Sequence, residues 1–249
     1  MARRAGLASA VIAVIVVVAL LAPWIAPYDP IAQPDIIGLK NLAPSFAHPF
    51  GTDSFSRDVL SRCMYGARIS LSVAALATAI AITLGTLYGA IAGYVGGAVD
   101  AVLMRIVDAA LSIPRVLLLI AILALWNGLP LWLLIVVLGA TGWFGLSRMV
   151  RAQVLSMRDL DFVAAARALG ASGPRILLRH IFPNVLPTII VAATLGIGHV
   201  IILEAGLSYL GLGVQPPAAS WGSIIQDGAD QIGSACCISL FPGLLIVPT

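Results

Sequence analysis

Across 249 residues the sequence is 60% hydrophobic and carries 14 Lys and Arg against 11 Asp and Glu, a net charge of +3. Soluble domains carry roughly 25% charged residues, so a 10% share cannot coat a water-facing shell, and lipid becomes the main solvent. The positive excess forms no basic, aromatic-interleaved patch, which sets aside a nucleic-acid surface and points to membrane orientation.

Arg3 and Arg4 precede an uncharged stretch from Leu7 to Ala26. It exceeds the ~7–15 apolar residues of a signal peptide, and Pro23 and Pro27 spoil a small-residue cleavage site, so residues 1–27 are read as a retained first span. Residues 28–68 follow, rich in Pro, Asp and Gly and holding Asp29, Asp35, Lys40, Asp53, Arg57, Asp58 and Arg62. This polar excursion is expected to be aqueous or interfacial. From Ile69 to Val99 no residue is charged, and at about 1.5 Å per residue two-thirds of that run crosses a ~30 Å hydrocarbon layer. Gly85, Gly89 and Gly93 recur every fourth residue on this second span, which permits a close helix seam, within the chain or beyond it.

Span three is expected at about Ala101–Trp126 and span four at about Pro130–Ser147, hinged at Asn127, Gly128, Leu129 and Pro130. The stretch from Arg148 to Arg179 then holds Arg148, Arg151, Arg158, Arg167, Arg175 and Arg179 against only Asp159 and Asp161, the bias of a cytoplasmic loop. Ile181–Leu203 is charge-free and makes span five. Ser208–Gln231 has no Lys or Arg, as on an outer face. A sixth span opens near Ile238, but a dozen residues at ~1.5 Å each reach about half of the bilayer. The expected fold is all-α: a polytopic transmembrane helix bundle of about six spans with the sixth incomplete. It divides into an N-terminal span (1–27), an extracytoplasmic segment (28–68) and a core (69–249) with a cytoplasmic loop at 148–180, the N-terminus lying inside.

Within the loop, Asp161 is placed to N-cap a helix through Phe162–Leu169, and Gly170 to stop it in the left-handed conformation. Ser172 is placed to cap a second helix with Pro174 in its first turn, running until Pro183 interrupts. A two-turn helix is unstable alone in water, so packing must hold it, against its own spans or against a docked partner.

The stretch Asp161-Phe-Val-Ala-Ala-Ala-Arg-Ala-Leu-Gly170, with Ala171-Ser172 and His180-Ile-Phe-Pro-Asn-Val-Leu-Pro187, resembles the cytoplasmic EAA loop of ABC importer permeases in the dipeptide, oligopeptide and nickel branch. The resemblance extends over His48-Pro-Phe-Gly-Thr-Asp53, Arg57-Asp58-Val-Leu-Ser-Arg62, Tyr65-Gly-Ala-Arg68, Met104-Arg105, Asp108, Pro114, Leu210-Gly-Leu-Gly-Val-Gln-Pro-Pro217 and Trp221-Gly222, covering roughly residues 26–243. It implies a peptide permease subunit in the bacterial inner membrane, with residues 69–249 as the permease core. It also implies a second permease chain, two cytoplasmic ATP-binding subunits that hold ATP and Mg, and an extracytoplasmic solute-binding protein. In such permeases the short loop helix fits a cleft on the ATPase. Ala165, Ala166 and Gly170 match the motif's second Ala, third Ala and Gly, and Pro183 its closing Pro. The motif's Glu position holds Ala164, which moves the polar part of docking to Asp161 or Arg167.

A Walker loop needs Gly-Lys followed by Ser or Thr, and the lone lysine, Lys40, sits between Leu39 and Asn41. ATP hydrolysis therefore belongs to another polypeptide, and this chain is read as a transport subunit rather than an enzyme. Cys63, Cys236 and Cys237 make neither an even disulfide framework nor a zinc spacing and read as small apolar fillers. Ionisable groups inside spans cost at least ~2.5–3.5 kcal/mol each on insertion scales, which makes them functional candidates. Arg105 and Asp108 are spaced to pair locally. Arg115, after the kink-prone Pro114, and Glu204, near the outer end of span five, are candidates to line the solute path or to pair with other helices. Two other classes compete with this reading. An intramembrane serine protease built on Ser147 with His180 or His199 fits poorly, because Ser147 sits beside Arg148 and Arg151 at the surface. A channel differs in standing alone. Nickel or another small solute is the alternative cargo.

Overall fold

The computed structural model describes residues 2–126, 128, 130–231 and 237–247, with backbone alone for 2–5, 7 and 8. Asn127 and Leu129 of the anticipated hinge, and Cys236, lie outside the described residues. The helices in chain order are α1 (Ala2–Ile25), α2 (Val59–Val95), α3 (Gly97–Leu111), α4 (Arg115–Leu123), α5 (Leu131–Ala140), α6 (Phe144–Arg158), α7 (Asp161–Ala168), α8 (Gly173–Ile176), α9 (Phe182–Tyr209), α10 (Trp221–Ala229) and α11 (Cys237–Ile246), with a π-helical turn at Leu177–Ile181 between α8 and α9.

Among the described residues two helical stretches, Val59–Val95 and Gly173–Tyr209, are long and apolar enough to cross a bilayer. Two bent pairs raise the number to four if each is one span: α3 with α4, bent by 74°, and α5 with α6, bent by 41°. Ser9–Ile25 and α11 are shorter apolar helices. The expected spans fall on these helices, with span three broken at the kink-prone Pro114 and span four broken where a continuous helix is expected. Pro114 supplies no N–H, so the chain turns between Ser112 and Arg115. At the second break Thr141 Oγ1 bonds back to the Val137 carbonyl at 2.8 Å, and Gly142 N bonds to Gly139 O at 3.1 Å, tightening the turn before α6.

The chain divides into two compact units, Met1–Ala74 with Leu123–Leu134 and Gly198–Thr249, and Ala75–Ile122 with Ile135–Ile197. In the first, the segment expected to be merely solvated folds inward at its C-terminal end. Thr52, Asp53, Asp58 and Arg62 are buried. Asp53 Oδ2 receives Arg57 Nε at 2.6 Å and Arg62 Nη1. Asp227 on α10 takes Arg57 Nη2 at 2.9 Å and Arg62 Nη1 at 2.8 Å. Two arginines and two aspartates thus neutralise one another, which is what allows them to leave water. Composition misses this because pairing, not residue type, decides burial. Val59, Cys63, Ala219, Ile224 and Ile238 form the adjoining apolar core, and the Trp221 indole N–H donates to the Cys63 carbonyl at 3.2 Å. Helix α10 lies in the loop expected between spans. Ser220 caps it, with Ser220 Oγ accepting from Ser223 N and Ser223 Oγ accepting from Ser220 N, a reciprocal capping box.

In the second unit the three glycines of α2 lie against α6. A Cβ at Gly85 would stand 2.9 Å from Trp143 O, and one at Gly93 would stand 2.8 Å from Arg151 O. A Cβ at Gly89 would collide with Ser147 O. Backbone meets backbone over two turns, so the seam anticipated from the spacing is an intrachain one. Arg105 and Asp108 do not form the expected local pair: Asp108 Oδ1 meets Arg148 Nη2 of α6 at 3.4 Å, because α6 runs beside this face of α3.

Candidate functional site

Helix α6 ends at Arg158, and after Asp159 and Leu160 the chain re-enters a helix as α7. The capping position is Leu160, in extended backbone, and no side chain caps it. Asp161 is therefore the first helical residue rather than the cap, where its negative charge still complements the helix dipole. The C-terminal end matches expectation. Gly170 has φ +82°, its N–H bonds to Arg167 O at 3.0 Å, and Ala171 N bonds to Ala166 O at 3.1 Å. This is the paired Schellman closure, and it needs a residue at ease in the left-handed region.

The two faces of α7 differ. Val163 and Ala166, three apart, are buried in a core with Ala90, Val150, Val154, Ile176, Ile181, Val185 and Ile189. Asp161, Ala164, Ala165, Arg167 and Ala168 are exposed. On an α-helical wheel Asp161, Ala164, Ala165 and Ala168 share the side opposite Val163 and Ala166. The outward face is thus nearly smooth, flanked by exposed Phe162 and by Leu169, 88% exposed. The motif's alanines divide accordingly: Ala166 packs inward, while Ala164 and Ala165 stay bare. Phe162 and Leu169 escaped the sequence reading. Their signal was two apolar residues one helical face away from Val163.

After Gly170 the chain turns into α8, with Ser172 extended before it and Pro174 in its first turn. Pro183 does not end the helix as expected. It falls at the second position of α9, just after the π-helical turn, where Phe182 N reaches Leu177 O. The wider turn moves carbonyls away from a ring that has no N–H to offer them.

The two candidate path residues lie in separate settings. Arg115 opens α4, donating from Nη2 to Leu138 O at 2.8 Å and from Nε to Thr141 Oγ1 at 3.5 Å. It borders a cleft of about 310 Å³ lined by Ile113, Pro114, Thr141, Gly142 and Phe144. Glu204 is fully buried, with Ser70 Oγ donating to Oε2 at 2.9 Å and Ser208 Oγ donating to Oε1 at 2.6 Å. Ser208 Oγ accepts in turn from Val214 N at 3.0 Å and Ser220 Oγ at 3.2 Å. Ser147, the nucleophile of the protease alternative, is buried and donates to Phe144 O at 2.7 Å. Among the described residues no three His, Cys, Asp or Glu converge as a metal site.

Residues 81–249 match the family described as binding-protein-dependent transport system inner membrane component, and residues 3–44 match the N-terminal TM domain of oligopeptide transport permease C. The dipeptide transport system permease protein DppC of Bacillus subtilis is 41% identical over 225 residues, 90% of this chain and 69% of that protein. The oligopeptide transport system permease protein OppC of Haemophilus influenzae is 39% identical over 250 residues, 99% of this chain and 79% of that one. OppC of Bacillus subtilis is 38% identical over 220 residues, 88% of this chain and 70% of its own length.

Proposed function

Because the chain belongs to the family of binding-protein-dependent transport inner-membrane components, we propose that it moves dipeptides or oligopeptides inward as one permease half of an ATP-driven importer. It is a multi-pass inner-membrane protein and a transport subunit. The observation that carries the mechanism is α7: held from behind by Val163 and Ala166, it presents Asp161, Ala164, Ala165 and Ala168 outward. Small side chains let a partner's cleft approach the backbone closely, and Asp161 and Arg167 supply polar contacts at the two ends.

The partner we assign to this face is one of two cytoplasmic ATPases, which bind ATP and Mg. A second permease chain completes the pathway between the two, an extracytoplasmic protein delivers the peptide, and the N-terminus lies in the cytoplasm. ATP-driven closure of the ATPases pushes α7, and the bundle exchanges outward- and inward-open states as a two-state rigid-body change. Within the coupling loop Gly170 and Pro183 set where α7 stops and α9 starts. Arg115, beside its cleft, is the better placed of the two path candidates, and Glu204 is enclosed by serines of its own chain. The test is Ala165→Glu in the assembled transporter. Charge on the bare face abolishes ATP-driven peptide uptake while the permease still reaches the membrane; uptake at the wild-type rate contradicts the docking role.

A further inference from the structure

Helix α3 follows α2 through Gly96 and Gly97, at φ +68° and +57°, a link without side chains that leaves the direction of α3 open. That direction is set by packing on α6 and by Tyr88 of α2, whose hydroxyl donates to Leu103 O at 3.0 Å. Asp100, in the first turn of α3, is buried, and its two carboxylate oxygens accept separately from Arg151 Nε and Nη2. A second tie, Asp108 to Arg148, has both side chains more than half exposed and is correspondingly weak.

Arg151 also stands in the α2–α6 seam, where its carbonyl faces Gly93 and its backbone nitrogen faces Gly89. About two turns further along α6, Arg158 Nη1 donates to Gly93 O at 3.3 Å. The same helix α6 shares Val150 and Val154 with Val163 and Ala166 of α7. A continuous series of contacts therefore runs from α7 through α6 to Asp100 and α3, and the chain continues across the 74° bend to α4.

We propose that Asp100 and Arg151 are positioning residues for transport, a strut through which displacement of α7 moves α3 and α4. A two-point planar pair resists both sliding and rotation, which a single contact does not. This inference rests on the transport reading above.

The test uses the complete importer in proteoliposomes, with its ATPases, partner permease and binding protein, and an isotope-labelled pool of di- to tetrapeptides as probe. Peptide taken up per ATP hydrolysed is the readout, because a purely structural role changes the amount of complex and not this ratio. In Asp100→Asn and in Arg151→Lys, which keeps the charge but loses the fork, the ratio falls roughly tenfold. The exchanged double variant, Asp100→Arg with Arg151→Asp, regains most of it. Asp108→Asn stays within about twofold of wild type. An undiminished ratio in the assembled fraction of either single variant overturns the strut, as does a loss of complex with a normal ratio. A wild-type complex without peptide-stimulated hydrolysis overturns the transport reading and the strut together, so the two failures are distinct.

Discussion

At Glu204 both carboxylate oxygens accept from hydroxyls, and those hydroxyls are held by backbone: Ser70 Oγ also accepts from Trp221 N at 3.3 Å. A buried acid so arranged ties α2, α9 and α10 at one point. Glu204→Ala leaves two buried hydroxyls without an acceptor, at about 1–3 kcal/mol; thermal unfolding in detergent shows a lower Tm, and Glu204→Gln, which keeps one acceptor oxygen, loses less. In the sequence Glu204 stood out as a lone charge on an apolar run, but its partners did not. Ser70 is 134 positions away, and serine in an apolar helix carries no signal of what it faces. The Asp53, Arg57, Arg62 and Asp227 cluster was hidden for the same reason. Gly170, by contrast, was legible, since a left-handed stop after an alanine run depends on local backbone alone.

Among elements, the seam between α2 and α6 permits a paired comparison. Gly89 has backbone of α6 where its Cβ would go, whereas Gly145 on α6 has open space. Gly89→Val forces the helices apart and costs about 1–3 kcal/mol, while Gly145→Ala, in the open first turn of α6, restricts the unfolded chain and adds about 0.4–1 kcal/mol. Denaturation of the purified protein reads both, with shifts of opposite sign. The long helices α2 and α9 followed from charge-free runs, and the α3–α4 bend sits at a proline visible in the sequence. The α5–α6 bend did not announce itself, because it depends on Thr141 bonding back to its own helix and on Arg115 drawing the Leu138 carbonyl away. Short α10 was missed because its capping box uses Ser223 in place of the usual acid.

For the molecule as a whole, the surface is crowded with apolar side chains, among them Leu87, Ile91, Val95, Ile190, Leu195 and Ile202, as a lipid-facing bundle requires. The proposed orientation rests on the arginines of residues 148–179. In inside-out vesicles a membrane-impermeant maleimide labels Arg175→Cys, and in intact cells it labels Lys40→Cys; the reverse pattern overturns the assigned sidedness. Cys63, buried, stays unlabelled in both.

The turn at Leu177–Ile181 holds one residue more than an α-helical turn would over the same arc. Loss of a single residue there is absorbed by reversion to ordinary helix, so the sides presented by α8 and α9 keep their mutual phase. The same deletion near Ile190 swings everything before it by about 100° around the axis. The chain thus tolerates a change of length at the junction between the α7–α8 knob and the long apolar helix α9, and at that junction the two can be retuned separately.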